Sequence, residues 1–541
     1  MIPENAVVAE KAILMPCHDF TEKHIDYKWY AIILAYYIAL SSFFISYYRH
    51  DMNPDGTIYL SLAQKYISGD FKNVVSGHWA PMISWLTAMF ISLGLEQIIA
   101  FRIVSILIGM LALVGIDKLM IELELTRYIR ILYLVALSPV VAWYAQSNVG
   151  ANMLGTCVLI YYVHATIRDE YRSKKYSGIV CGILGALSYL AKNYNFYFFI
   201  LHFIVINICY WRQAAHNSQK RTIALNFISA IVAFTLICGI WIGLISAKYH
   251  TFTVGTAGAY NFSHIRPGHS TNTHPMLTDG FMPPPNNTAI SIWEDPNCIK
   301  IVHWNPFETM PDFLYYLNHI SKNIYKYLSG LITNYILDLT IISIVAIYFF
   351  SNKKLNSKVN YILLTILLYP LGYFALYYEG QIYVLIIPIL LYIINAYLIN
   401  FIFLHYGKSR SFKVYISVIL CVSLIALTLV RIKRDSSEVN ELHEMYRIST
   451  IIKKYYNIQN TNIASQGGDW YHTIDLSYFL KARYFGMARD DVTDEQLRQE
   501  LIKYGIKYYL VVGNLKNNLD ILVPEMEIES WSGNMTLYRV L

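Results

Sequence analysis

Charge is what this sequence has least of: Asp, Glu, Lys and Arg supply only 15% of its 541 residues, 55% are hydrophobic, and the mean hydropathy is +0.37. So little charge cannot clothe a soluble surface of this size, which excludes a soluble enzyme or binding module and leaves a polytopic membrane protein. Cysteine is also sparse. Cys157, Cys181, Cys209, Cys238 and Cys421 fall inside apolar runs, and Cys17 and Cys298 in segments expected on opposite sides of a membrane, so neither a disulfide framework nor a CxxC metal site follows. Met1 to Lys28 lacks an apolar core and carries Lys11, Lys23 and Lys28, which makes it a tail and not a cleavable signal. No basic block exists either. The net charge of +7 is dispersed in short clusters between apolar runs, a topology signal that gives no reason to expect a nucleic-acid partner.

What the chain has instead is long apolar runs. Eleven are expected to span: Trp29–Tyr48, Ile98–Leu119, Ile129–Tyr144, Val149–Thr166, Tyr176–Leu190, Tyr194–Trp211, Ile223–Ala247, Ser329–Phe350, Val359–Tyr377, Ile382–Leu404 and Phe412–Val430. Pro81 to Leu95 is too short for a span and is read as interfacial. With that reading, the positive loops containing Lys118, Arg127 and Arg130, then Arg168 to Lys175, Arg212 to Arg221, Lys353 to Lys358 and Lys408 to Lys413 all face one side, taken as the cytoplasm. The expected location is the inner membrane, with the N-terminus cytoplasmic. A membrane domain of residues 1–430 and a soluble extracytoplasmic domain of residues 431–541 follow, with the first outer loop at 49–97 and a long outer loop at 248–322.

The first outer loop concentrates polar chemistry at a membrane surface. Asp51 precedes Asp55 by four residues; Asp55 follows Pro54 at an expected helix cap, and Ile58, Leu62 and Tyr66 recur on one face of the helix it opens. His78 and Trp79 precede the next apolar run. For Asp55 two roles are open, an N-cap and a general base. Elsewhere, Lys192 is the one positive residue of the short outer loops, either a snorkelling side chain or a partner for a lipid phosphate. Glu379 and Tyr383 enter the tenth span ahead of Pro388, and Asp338 lies within the eighth, where Arg102 could pair with it. The long outer loop holds His250, His264, His269, His274, His303 and His319 without the close spacing of zinc motifs, and Trp293, Trp304, Phe307 and Tyr260 could stack on a sugar or pack the loop down.

The Asp55-x-x-x-Tyr59 pattern, just after the first membrane helix, resembles the polyprenyl-phosphate-dependent glycosyltransferases of the GT-C fold, such as the protein O-mannosyltransferases and the lipid A aminoarabinose transferase. The resemblance implies an all-α membrane domain of about eleven transmembrane helices with a small C-terminal α/β domain. It implies transfer of a sugar from a polyprenyl-phosphate donor to a glycan, lipid or protein acceptor on the outer face, with membrane lipids as surroundings and no cofactor called for. Asp55 is then the base, with Asp51 its rival because relatives carry Asp-Glu where this chain has Asp55-Gly56. Lys192, Tyr59, His78, Glu379 and Tyr383 become substrate-binding candidates. The alternative is a transporter or flippase of lipid-linked sugars, against which stands the lack of an internal repeat.

From Arg431 the composition becomes ordinary. Asn462 to Ser465, Tyr508 to Val512 and Met535 to Val540 read as strands, and Thr493-x-x-Gln496 as a capping box opening a helix that Gly505 ends. Asp469, Trp470 and His472 read as a polar surface loop.

Overall fold

The computed structural model describes residues 27–147, 150–268, 279–299, 304–352, 356–378, 380–405, 409–467, 470–516, 519–530 and 533–541, with backbone alone for 334–352 and at a few further positions. The membrane part consists of helices α1 (Tyr27–Tyr48), α2 (Pro54–Ser68), α3 (Met82–Ser92), α4 (Gln97–Glu122), α5 (Arg127–Ser147), α6 (Asn152–Ile167), α7 (Gly178–Ala191), α8 (Asn195–Gln213), α9 (Asn217–Tyr249), α10 (Met310–Asn352), α11 (Ser357–Leu368), α12 (Ile386–His405) and α13 (Arg410–Ile451). Each of the eleven expected spans overlaps a helix among the described residues, although Val359–Tyr377 is interrupted at Tyr369 and Pro370 and is no longer helical by Leu376. Among the described residues seven helical stretches are long and apolar enough to cross a membrane, and α3, α6 and α7 are shorter apolar helices.

Close approach is built from small residues. A Cβ on Gly178 would lie 1.8 Å from the Asn226 carbonyl oxygen and one on Gly182 2.1 Å from that of Ala230, so α7 meets α9 with no side chain between them. Some of the charges counted toward topology are not free. Arg130 forms a buried bidentate pair with Asp117 at 2.7 and 2.8 Å, and Lys358 reaches Glu122 at 2.5 Å and Asp169 at 2.9 Å. Buried Arg102 spends its guanidinium on the carbonyls of Gln146, Tyr48 and Asp51, which ties the end of α1 to α4 and α5. The Asp338 side chain lies outside the described residues.

After α13, a five-stranded sheet is ordered β2-β1-β3-β5-β4, from β1 (Asn462–Gln466), β2 (Arg483–Met487), β3 (Tyr508–Val512), β4 (Leu522–Ser530) and β5 (Gly533–Val540), with α14 (Trp470–Leu480) and α15 (Asp494–Lys503) between strands. β1 runs parallel to β2 and β3, while β5 is antiparallel to β3 and β4. The Thr493–Gln496 capping box opens α15, and Gly505, at φ +58°, takes the left-handed turn after it. Trp470 and His472 are a correction: they begin helix α14, and His472 is buried, because α14 packs between the sheet and the rest of the protein; Asp469 lies outside the described residues. The edge of β2 does not face solvent. Residues of the long loop after α9 close it, with Met282 N–H donating to the Phe485 carbonyl and Tyr484 N–H to that of Ile290, both at 2.6 Å.

Candidate functional site

The N-terminal turn of α2 is set by three consecutive residues. Asn53 is extended (φ −79°, ψ 167°) and its Oδ1 accepts from the Gly56 N–H at 2.8 Å, and Pro54 supplies the fixed φ of the first turn. Asn53 is therefore the N-cap, which corrects the expectation for Asp55. Asp55 sits inside the first turn, half-buried, where the helix's positive end favours a carboxylate. Its Oδ1 accepts from the indole Nε1–H of Trp293 at 3.1 Å.

One helical turn on, buried Tyr59 packs edge-on against Trp79 at 5.3 Å between ring centroids, and Trp79 Nε1–H donates to the Trp293 carbonyl at 2.9 Å. The His78 ring lies 4.7 Å from Trp79, 5.4 Å from Tyr260 and 5.3 Å from Trp293. Asp55 and His78 thus meet Trp293 of the long loop, and Tyr59 is joined to it through Trp79.

That tryptophan opens a triplet that sequence reasoning did not single out as a unit. Glu294, buried, accepts from Ser61 Oγ at 2.7 Å and pairs with buried Lys65, both on α2; its Oε1 also takes the Ile290 N–H at 2.7 Å. Asp295 accepts from Lys248 Nζ at 2.6 Å and from the Tyr249 hydroxyl at 2.9 Å, both at the end of α9. Three consecutive side chains therefore tie the loop to Asp55, to the body of α2 and to α9. The available signal was the compact run from Ala289 to Asp295, mostly apolar within a loop otherwise rich in Gly, Pro and Asn. Gly77 completes the crossing. Its N–H donates to the Tyr249 hydroxyl at 3.0 Å, and a Cβ there would come within 2.8 Å of the Tyr249 ring and 2.9 Å of the Thr256 methyl.

Asp51 lies apart from this cluster. Its side chain is 8% exposed, and burial pushes its carboxyl up to about 8, with Arg102 opposing and Glu438 and Asp435 adding to the rise.

Lys192, half-buried, caps the end of α7. Nζ donates to Asn152 Oδ1 at 2.7 Å and to the Tyr383 carbonyl at 3.0 Å, and it lies 5.4 and 5.2 Å from the ring centroids of Tyr373 and Tyr383. Among the described residues no carboxylate pairs with it, and burial pulls it down to about 7. Tyr383 is brought to Lys192 as a ring and a carbonyl; Glu379 lies outside the described residues. The next residue joins the two clusters, since Asn193 Nδ2 donates to the carbonyls of Gly77 and His78 at 3.0 and 2.9 Å. Among the described residues no three His, Cys, Asp or Glu side chains are grouped to hold a metal ion, and His269, His274 and His303 lie outside them.

No protein-family model and no curated protein sequence matches the chain. Solved structures do. The chain superposes on ArnT from Cupriavidus metallidurans bound to undecaprenyl phosphate with a TM-score of 0.54 at 11% identity, covering 95% of this chain and 99% of that one. It superposes on the archaeal oligosaccharyltransferase AglB from Archaeoglobus fulgidus, in complex with an inhibitory peptide and a dolichol-phosphate, at 0.52 and 10% identity, over 89% of this chain and 69% of that. The mycobacterial arabinofuranosyltransferase AftD matches at 0.50 and 11%, over 96% of this chain and 40% of its own length. A helical membrane part and a C-terminal sheet in one arrangement over nearly the whole chain give this protein the GT-C fold, as the Asp55-x-x-x-Tyr59 loop led one to expect.

Proposed function

We propose that this protein is a membrane glycosyltransferase that moves a sugar from a polyprenyl-phosphate donor to an acceptor hydroxyl on the outer face of the membrane. The observation that carries the reading is Asp55, held at the start of α2 by an indole donor beneath an aromatic cluster, in a fold shared with structures that hold undecaprenyl phosphate and dolichol-phosphate. The acceptor oxygen attacks the anomeric carbon as its proton passes to Asp55. The bond from that carbon to the phosphate oxygen breaks, and polyprenyl phosphate leaves with its charge met by Lys192. Tyr59 and His78 shape the acceptor side, and Tyr383 the phosphate side. Residues 1–430 hold the donor, and 431–541 cover the site from outside.

The test is transfer from a synthetic polyprenyl-phosphate sugar by the purified protein, with Asp55→Asn beside the wild type. Because Asn53 and not Asp55 caps the helix, this exchange leaves the cap in place, and turnover is expected to fall by roughly two to four orders of magnitude with donor binding kept. Transfer undiminished in Asp55→Asn removes the base assignment. Movement of lipid-linked sugar across vesicles without transfer makes the protein a transporter instead.

A further inference from the structure

We infer that Asp475, on helix α14 beside the sheet, is a positioning residue for the turn that carries Asp55, so that the C-terminal part of the chain sets the geometry of the site it covers. Asp475 Oδ1 accepts from the Thr57 hydroxyl at 2.6 Å, across 418 positions of sequence, and both side chains are fully buried. Thr57 lies two residues after Asp55, and its N–H closes the first helical turn on the Asn53 carbonyl at 3.1 Å. Asn53 thus holds the turn from one end and Asp475 from the side. The same helix adds a second contact, the Trp470 ring lying edge-on 6.2 Å from Trp293, the donor to Asp55.

A purely structural account of Asp475 fits poorly. Burial, with Asp51 and Glu438 nearby, drives its carboxyl well above the usual range, Thr57 alone opposing, and Oδ2 has no hydrogen-bond partner among the described residues. A buried carboxyl with one hydrogen bond adds little to stability compared with an apolar side chain of like volume. What it does supply is direction, a fixed acceptor that lets the Thr57 hydroxyl, and so the turn, sit in one place.

The inference rests on Asp55 acting as base, and its test separates the two. Asp475→Asn keeps an acceptor oxygen for Thr57 without charge, so kcat should stay near wild type. The double exchange Asp475→Leu with Thr57→Val removes both polar partners, leaving none unpaired, so thermal stability should hold while kcat falls by about a factor of ten to a hundred at unchanged donor KM. In the same double variant, amide hydrogen exchange should quicken in peptides spanning residues 54–60 and not in the sheet. Wild-type kcat in the double variant, unchanged exchange at 54–60, or a loss in Asp475→Asn as deep as that in Asp55→Asn each overturns the assignment. If Asp55→Asn itself turns over normally, the base reading fails, and the exchange data still report whether Asp475 holds the turn.

Discussion

Lys192 shows how burial writes a residue's chemistry. A lone Lys at an outer helix end could be read from sequence, but not that its ammonium would meet Asn152, Tyr373 and Tyr383, which come from distant parts of the chain. With its value pulled down to about 7, the neutral form is favoured by folding: that stability is present at high pH and is lost as pH falls through about 7. A bound phosphate reverses the preference by restoring the ammonium. Donor binding should therefore take up a proton above about pH 7 and weaken as pH rises further, by up to about tenfold per unit. Titration calorimetry of a synthetic polyprenyl-phosphate sugar, a diester with no group of its own titrating near neutral pH, in buffers of differing ionisation heat reads that proton directly, and Lys192→Met should abolish it. Affinity independent of pH in the wild type would return Lys192 to an interfacial role. Trp293 makes the complementary case, legible as an aromatic but not as a donor. Trp293→Phe keeps the ring and deletes the N–H, so kcat should drop by roughly tenfold with donor KM kept; equal kcat would mean that the indole only packs.

At the scale of elements, the apolar runs made the membrane helices legible because their length alone sets them apart. The parts that were missed have a common cause. Helix α14 buries His472, Thr473, Asp475 and Ser477 alongside apolar residues, so no apolar stripe marks it. β2 is five residues with an internal Gly486, and β4 contains Pro524 beside a register shift, which only an edge strand tolerates. The Trp293–Asp295 triplet was hidden because its partners, Ser61, Lys65, Lys248 and Tyr249, are remote in sequence. Its weight can be measured. Glu294→Gln leaves the Lys65 ammonium buried without its counter-charge, and breaking such a pair costs roughly 3–5 kcal/mol. A clear fall in the unfolding temperature of the purified protein is expected; an unchanged one would mean that α2 and the loop are held together elsewhere.

For the molecule as a whole, the contacts turn three separate topology questions into one. Helix α14 touches α2 through Asp475 and Thr57, the outer loop pairs with β2 at Phe485 and Tyr484, and Trp293 of that loop reaches Asp55. The first outer loop, the long loop and the sheet must therefore share one side of the membrane, whichever side that is. Charge selects the side. Arg130 and Lys358 are buried or half-buried in acid pairs, but Lys174, Lys175, Arg212 and Arg221 are exposed at the opposite ends of the helices, where the positive-inside tendency places the cytoplasm. In variants stripped of other reactive thiols, a cysteine replacing exposed Lys516 should then react with a membrane-impermeant reagent in intact cells, and one replacing Lys174 should react only after lysis. The reverse pattern would turn the whole unit inward, carrying Asp55 with it to the cytoplasmic face. Labelling at both positions would put the sheet and the loop between α6 and α7 on one side and overturn the eleven-span topology.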